Sequence, residues 1–217
     1  LMLLGLVMSC ALPEAFGANG LIFAGAYVTA QLVRSLFTMV SLKDASPANH
    51  RNFQRITIWL CCSGVFWIAG GLNEGPMRFG LWLIALGIEY VGPTVGFRVP
   101  RLGRSLTSDW SVEGGHLSER CALFIIIALG ESILITGATA AKLPVTAANL
   151  TAFLNSFLSS IAMWWIYFHI GAERASHHIA RSDDPGRIAR IAYTYLHVLL
   201  VAGIILVAVG DELVIAH

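Results

Sequence analysis

Long apolar runs separated by short polar connections dominate the hydrophobic pattern of this chain. Each complete run is close to the ~20 residues that an α-helix needs to cross a bilayer. The pattern predicts a truncated first span over 1–11 and six complete spans over 21–40, 56–72, 79–97, 117–139, 149–170 and 188–210. We therefore expect an all-α fold, a polytopic transmembrane helix bundle that forms a single integral membrane domain over 1–217.

Composition indicates the same class of protein. Hydrophobic residues make up 56% of the chain and charged residues only 12%, whereas soluble domains carry about a quarter charged residues. The net charge of +1 provides no basic field for nucleic acid. The expected partner is the lipid bilayer, no nucleic acid is expected to bind, and no oligomeric state is predicted.

The first apolar run begins at Leu1 with no polar segment before it, and His217 ends the chain without a polar tail. We interpret the sequence as a fragment of a longer chain. A signal peptide is the alternative interpretation of 1–11, but no basic segment precedes the run and Pro13-Glu14 does not resemble a cleavage site.

The basic residues predict the orientation, because lysine and arginine beside membrane helices stay on the cytoplasmic side. Twelve of the fourteen lie in or beside three alternate connections, around 41–55, 98–116 and 173–187. Only Arg78 and Lys142 fall near the other connections. We predict that the three basic connections face the cytoplasm.

Ionisable side chains inside the spans are the candidate functional residues, because hydrocarbon solvates charge poorly. Glu131 lies within 117–139, and helical spacing places it on one stripe with Arg120, Phe124 and Ile127. Glu89 lies in the middle of 79–97. We predict that Glu89 and Glu131 flank one site at the membrane midplane. The alternative is that each acid is hydrogen-bonded and fixes helix packing.

The last span adds a second polar face. Helical spacing aligns Tyr193, His197, Val201, Ile204, Ala208 and Asp211. An imidazole ordinarily changes charge near neutral pH, so His197 is the candidate for a proton relay, with a hydrogen-bonded packing role as the alternative. Asp211 and Glu212 approach the outer interface.

A third group of polar residues, His116 and Glu119 with Arg120, stands at the cytoplasmic entrance of 117–139. These side chains form part of the candidate polar site, and the alternative is that they anchor the helix at the headgroups. Neither this group nor the other acids show metal-ligand spacing, a phosphate loop or a nucleophile motif. We expect no enzyme activity, no metal and no cofactor.

Three segments resemble the bacterial low temperature requirement A family, LtrA. They are His116-Leu-Ser-Glu-Arg-Cys-Ala-Leu-Phe-Ile-Ile-Ile-Ala-Leu-Gly-Glu131, Trp164-Trp165-Ile-Tyr-Phe168 and the run from Tyr195 to Glu212. The resemblance implies a multi-pass bacterial inner-membrane protein of a family named for growth in the cold. Its motif positions include His116, Glu119, Arg120, Glu131, His197, Asp211 and Glu212. The chain departs from the family where His169 replaces a frequent aspartate, and it lacks the family's acidic, Phe-rich first helix.

The leading functional hypothesis is a transporter or channel that moves a small ion or a proton-coupled solute through a path lined by intramembrane carboxylates. The rival is a non-transporting membrane factor that supports growth or envelope function at low temperature. In the rival, the charges are paired for helix packing or lipid binding.

Overall fold

The computed structural model describes residues 1–105, 114–172, 188 and 191–216. In these residues the secondary structure is helical and includes no β-strand, so the predicted all-α fold is confirmed. The chain divides into two compact units, Leu1–Trp110 and Ser111–His217. The single membrane domain over 1–217 stays a prediction.

The first unit contains a short helix followed by three long ones. These are α1 (Met2–Ala11), which continues as a 3₁₀ turn over Leu12–Glu14, α2 (Gly20–Ser41), α3 (Pro47–Leu72) and α4 (Gly75–Thr94). Pro47 and Pro76 lie in the first turns of α3 and α4, where the missing N–H would have had no helical partner.

The second unit contains three long helices, two of which have a π-helical segment at one end. They are α5 (Gly114–Ala140), α6 (Ala147–Trp165) with its π-helical continuation Ile166–Ala172, and α7 (His197–Ala216), which follows the π-helical segment Ile191–Leu196. The side chain of Thr146 caps α6 by accepting from the Asn149 backbone N–H. π-Helical turns are rare and often accompany functional sites.

Five helices in the described residues are long and apolar enough to cross a membrane: Gly20–Ser41, Pro47–Leu72, Ser118–Ala140, Ala147–His169 and Ile191–Ile215. These helices correspond to five of the six complete spans predicted from the sequence, and the count of six stays a prediction. The sixth predicted span, 79–97, corresponds to α4, which has sufficient length at 20 residues but is less apolar because it carries Arg78, Glu89 and Pro93. Large apolar side chains such as Leu134 (69% exposed) and Leu206 (72%) lie on the surface of the structure, as in helices that face lipid.

The core of the first unit is an aromatic cluster packed against small residues. Trp67 and Trp82 are buried with ring centroids 5.3 Å apart, and the Trp82 Nε1–H donates to the Trp67 carbonyl oxygen at 3.0 Å. Gly70 lies against Trp82, and a Cβ at Gly71 would be 3.2 Å from that of Ala24. These small residues allow α2, α3 and α4 to approach closely.

Arg78 is a buried structural residue, only 3% exposed. Its guanidinium donates to the carbonyl oxygens of Ala15 (2.9 Å), Gly17 (2.6 Å), Gly70 (3.3 Å) and Asn73 (2.8 Å). These contacts join the turn before α2, the end of α3 and the start of α4. A residue that the sequence places beside an outer connection thus holds three segments of the first unit together.

The substitution Gly70→Ala tests this packing. The new Cβ would overlap Cδ1 of Trp82, so we expect a loss of about 1–3 kcal/mol in stability from overpacking. Gly87→Ala on α4 is the matched control, because its Cβ meets no atom within 4 Å and alanine improves helix propensity. Thermal unfolding in detergent measures both variants, and equal melting temperatures would contradict the packing described.

Candidate functional site

Three helices of the first unit meet at the carboxylate of Glu89 on α4. The Tyr27 hydroxyl of α2 donates to Oε2 at 2.6 Å. From α3, the Ser63 hydroxyl and the Trp67 indole N–H both donate to Oε1 at 2.9 Å. Ser63 and Trp67 are four residues apart and therefore share one helix face. The Glu89 carboxylate thus joins α2, α3 and α4 through three neutral donors.

The polar contacts continue from Glu89 along one face of α2. Gln31 donates from Nε2 to the Tyr27 hydroxyl oxygen at 3.0 Å, and Arg34 donates to the Gln31 Oε1 at 2.6 Å. Arg34 is exposed, seven residues or about 10 Å along α2 from Tyr27. A continuous line of hydrogen bonds therefore connects Glu89 with an exposed cation.

Sequence reasoning found Glu89 but missed Tyr27, Gln31, Ser63 and Trp67. Neutral hydrogen-bonding residues are common in membrane helices, so none of them stands out by itself. The signal that could have found them is their spacing, because Tyr27 and Gln31, like Ser63 and Trp67, are i,i+4 pairs that place two polar groups on one face.

His197 is held through both ring nitrogens in the second unit. Nδ1 lies 2.8 Å from the Ala192 carbonyl oxygen, and Nε2 lies 2.8 Å from the Tyr167 hydroxyl. A carbonyl oxygen only accepts, so Nδ1 carries a hydrogen. In the neutral imidazole, Nε2 then accepts from Tyr167. Both partners belong to π-helical segments, Ala192 to Ile191–Leu196 and Tyr167 to Ile166–Ala172.

The six residues that helical spacing aligns on one face of the last span lie on the packed side of α7 in the structure. None of these six residues is exposed: Tyr193, His197, Val201, Ile204, Ala208 and Asp211 are all buried or half-buried. Asp211 accepts a hydrogen bond from the Ser156 hydroxyl of α6 at 2.9 Å, and Ser156 is only 2% exposed. Glu212, the neighbouring acid, is exposed.

The polar stripe predicted on α5 is the exposed face of that helix. Arg120 and Glu131 are both exposed, while the opposite face, with Ile125, Leu129 and Ser132, is buried. The stripe was predicted correctly as one face, but the sequence gives no indication of which face packs inward. The reason is that α5 carries apolar residues on all of its faces, so its sequence shows little helical periodicity in hydrophobicity.

The remaining predicted site residues are not brought together with Glu89. Glu119 is exposed, and the His116 side chain is outside the described residues. Glu89 and Glu131 belong to different units, so their predicted common site stays a prediction. Among the described side chains, no group of three or more His, Cys, Asp or Glu could hold a metal ion.

Comparison with known proteins identifies the family to which the chain belongs. The family model described as "Bacterial low temperature requirement A protein (LtrA)" matches residues 1–217. The chain belongs to the LtrA family. It is a bacterial membrane protein, since the family is bacterial and five of its described helices are long and apolar enough to span a bilayer.

One curated relative is Uncharacterized protein RA0937 of Rhizobium meliloti (strain 1021), which is 45% identical over 217 residues. The alignment covers 100% of this chain and 53% of the relative, so the chain spans about half the length of the curated relative that it matches. No solved structure matches the chain.

The hydrogen bonds of His197 predict its tautomer. When neutral, the ring is expected to carry its hydrogen on Nδ1, because the Ala192 carbonyl accepts there. ¹⁵N NMR of histidine-labelled protein measures this, with the His197 signals assigned as those lost in His197→Gln. A neutral His197 with its hydrogen on Nε2 would contradict the geometry.

Proposed function

We propose that this LtrA family member is a membrane transporter that couples solute or ion movement to protons, with Glu89 as the proton-carrying residue. The observation that supports the proposal is the carboxylate of Glu89 within α4, held by three neutral donors from two other helices. Ionisable groups at such positions commonly mark ion and proton pathways.

The hydrogen-bond partners of the Glu89 carboxylate are all neutral groups. A permanent ion pair would favour the charged form strongly, but Glu89 forms no ion pair with the described residues. When ionised, the carboxylate accepts all three hydrogen bonds. When protonated, its O–H can donate to the Tyr27 oxygen, because a phenol both donates and accepts. Either state therefore keeps a hydrogen-bonded partner.

The hydrogen bonds from Tyr27 through Gln31 to Arg34 supply a polar connection between Glu89 and the exposed part of α2. Under the predicted topology, that end of α2 faces the cytoplasm. We propose that protons reach Glu89 along this face and that the protein acts in the inner membrane as a transporter rather than as an enzyme.

The rival function is a non-transporting membrane factor that supports growth at low temperature. The contacts of Glu89 favour this rival function as well. A carboxylate that accepts hydrogen bonds from Tyr27, Ser63 and Trp67 also fixes the packing of three helices. The two functions differ in what happens when the negative charge is removed but the shape of the side chain is kept.

Glu89→Gln separates the two functions. Transport predicts a folded variant whose proton flux in proteoliposomes falls by about 10²-fold or more, the scale of a lost proton-transfer group. Glu74→Gln is the matched control, since Glu74 is an exposed acid immediately before α4, and it should retain wild-type flux. The flux assay uses the full-length protein and a panel of monovalent ions, with folding checked by thermal unfolding.

A folded Glu89→Gln variant with wild-type flux would refute the proposal. A variant that loses thermal stability, in a protein that shows no flux across the panel, would instead favour the packing factor.

A further inference from the structure

The chain forms a closed loop directly after α4 in the first unit. Val99 and Gly103 exchange two backbone hydrogen bonds of 3.0 and 3.1 Å, and the Ser105 N–H donates to the Gly96 carbonyl oxygen at 2.7 Å. The segment 96–105 is therefore a structured element of the first unit. We call it the arginine loop, because it carries three exposed arginines: Arg98, Arg101 and Arg104.

A buried guanidinium of α3 holds the arginine loop in place. Arg55 is only 7% exposed, and its Nε–H and an Nη2–H both donate to the Leu102 carbonyl oxygen. The indole N–H of Trp59, one turn further along α3, donates to the Arg98 carbonyl oxygen at 3.2 Å. The loop backbone is thus bonded to α3 at two points. Its position on α3 does not depend on the side chains of the three exposed arginines.

Two residues of the arginine loop have left-handed backbone conformations that favour glycine. Phe97 has a φ of 48° and Arg101 a φ of 68°, and in the described part of the chain these are the two non-glycine residues with positive φ. Such conformations are unfavourable, persist only where the surroundings impose them, and cluster at ligand sites. The strained backbone gives the loop one fixed shape, as a binding site requires.

The arginine loop borders a positively charged concave surface at the end of α4. The volume of the concavity is about 550 Å³, and its lining residues are Val95, Arg98, Gly103 and Arg104. A Cβ on Gly103 would lie 3.7 Å from Nη2 of Arg55, so the buried guanidinium stands behind the same surface. The sequence has no acidic residue over 90–108. Two guanidinium groups therefore line the concavity and a third lies behind it, with no acid in the described lining.

Phosphate is the anion that this arrangement fits best. A guanidinium presents a planar fork of N–H donors that matches two phosphate oxygens. Because the oxygens of a phosphate are arranged tetrahedrally, Arg98 and Arg104 can bond to it from different directions. A carboxylate offers only two coplanar oxygens, which one such fork already occupies.

Apolar surface continues from the concavity along α4. Val95 lines the concavity, and Val91, one helical turn earlier, is 49% exposed on the same face. A phospholipid carries a phosphate joined to acyl chains, so it fits both surfaces, whereas soluble phosphate would use only the arginines. A choline or ethanolamine cation would face guanidinium groups. The charge of the site therefore favours an anionic phospholipid, the lipid that basic clusters beside membrane helices attract.

We propose that the arginine loop binds the headgroup of an anionic phospholipid, with the phosphate between Arg98 and Arg104 and an acyl chain along the exposed face of α4 at Val91 and Val95. The proposal does not depend on proton-coupled transport by Glu89. A protein without proton flux can bind the lipid, and a transporting protein can fail to bind it.

Native mass spectrometry of the purified full-length protein in detergent tests the proposal, because it counts the lipids bound to each chain. Phosphatidylglycerol and phosphatidylcholine with identical acyl chains are the probes. We expect wild-type protein to bind phosphatidylglycerol at least about tenfold more tightly. The double variant Arg98→Gln/Arg104→Gln should lose at least about tenfold in phosphatidylglycerol affinity, the scale of one lost hydrogen bond to a charged group, and keep its phosphatidylcholine affinity.

Lys43→Gln/Arg51→Gln is the matched control. It removes two exposed positive charges near the start of α3, outside the lining of the concavity, and should retain wild-type selectivity. If the double glutamine variant at the loop does not fold, Arg98→Lys/Arg104→Lys replaces it. This variant keeps both charges but loses the planar donor forks, and it should weaken phosphatidylglycerol binding about 2- to 10-fold.

Three results would overturn the proposal: equal affinities for the two lipids in wild-type protein, an equal loss of phosphatidylglycerol affinity in the loop variant and the control, or displacement of phosphatidylglycerol by low-millimolar inorganic phosphate. The last result would assign the arginines to a soluble phosphate.

Discussion

The carboxylate of Glu89 is the group on which the organisation of the first unit depends. A charge on an apolar helix costs several kcal/mol unless hydrogen bonds or a partner compensate it. Here the compensation comes from Tyr27 on α2 and from Ser63 and Trp67 on α3. These three hydrogen bonds together constrain how α2, α3 and α4 are rotated about their axes and how far each is shifted along its neighbours. The contact of Gly70 with Trp82 lets α3 and α4 approach closely enough for this arrangement.

Two ionisable residues of the first unit, the buried Arg78 and the half-buried Glu89, illustrate two different roles. Arg78 donates to four backbone carbonyls, and its guanidinium lies 5.8 Å from the ring centroid of Trp82. A guanidinium stays charged at all ordinary pH values, so Arg78 is an anchor rather than a proton carrier. The Glu89 carboxylate instead accepts hydrogen bonds from neutral groups. One of them, the Tyr27 hydroxyl, could also accept a hydrogen bond from a protonated Glu89. Neutral partners of this kind suit the proposed proton coupling, whereas the contacts of Arg78 suit permanent anchoring.

Sequence reasoning predicted the helical class, most of the span positions and the importance of Glu89, because length, hydropathy and charge within an apolar run act locally. It also predicted that Tyr193, His197 and Asp211 share one face of α7, because they recur at helical spacing. It did not predict which face of α5 is buried, since the residues around Ile125 are apolar on every side. The burial of Arg78 was also missed, because a basic residue at a helix end ordinarily lies at the headgroups.

The partners of the candidate site residues depend on tertiary contacts that no local pattern encodes. Tyr27 and Glu89 are 62 residues apart, and Ser156 and Asp211 are 55 apart. The π-helical segments that present Ala192 and Tyr167 to His197 likewise have no side-chain signature in the sequence. In both units, the sequence identified an ionisable residue but not the residues that hold it.

Infrared difference spectroscopy tests most directly whether Glu89 exchanges a proton within its hydrogen-bonded site. Wild-type protein and Glu89→Gln, both labelled with ¹³C-glutamate and placed in nanodiscs, are compared before and after acidification. The account predicts that a carboxylic-acid C=O band appears on acidification in the wild type and is missing from the variant. Identical difference spectra for the two proteins would show that Glu89 keeps one protonation state, and they would contradict its role as the proton-carrying residue.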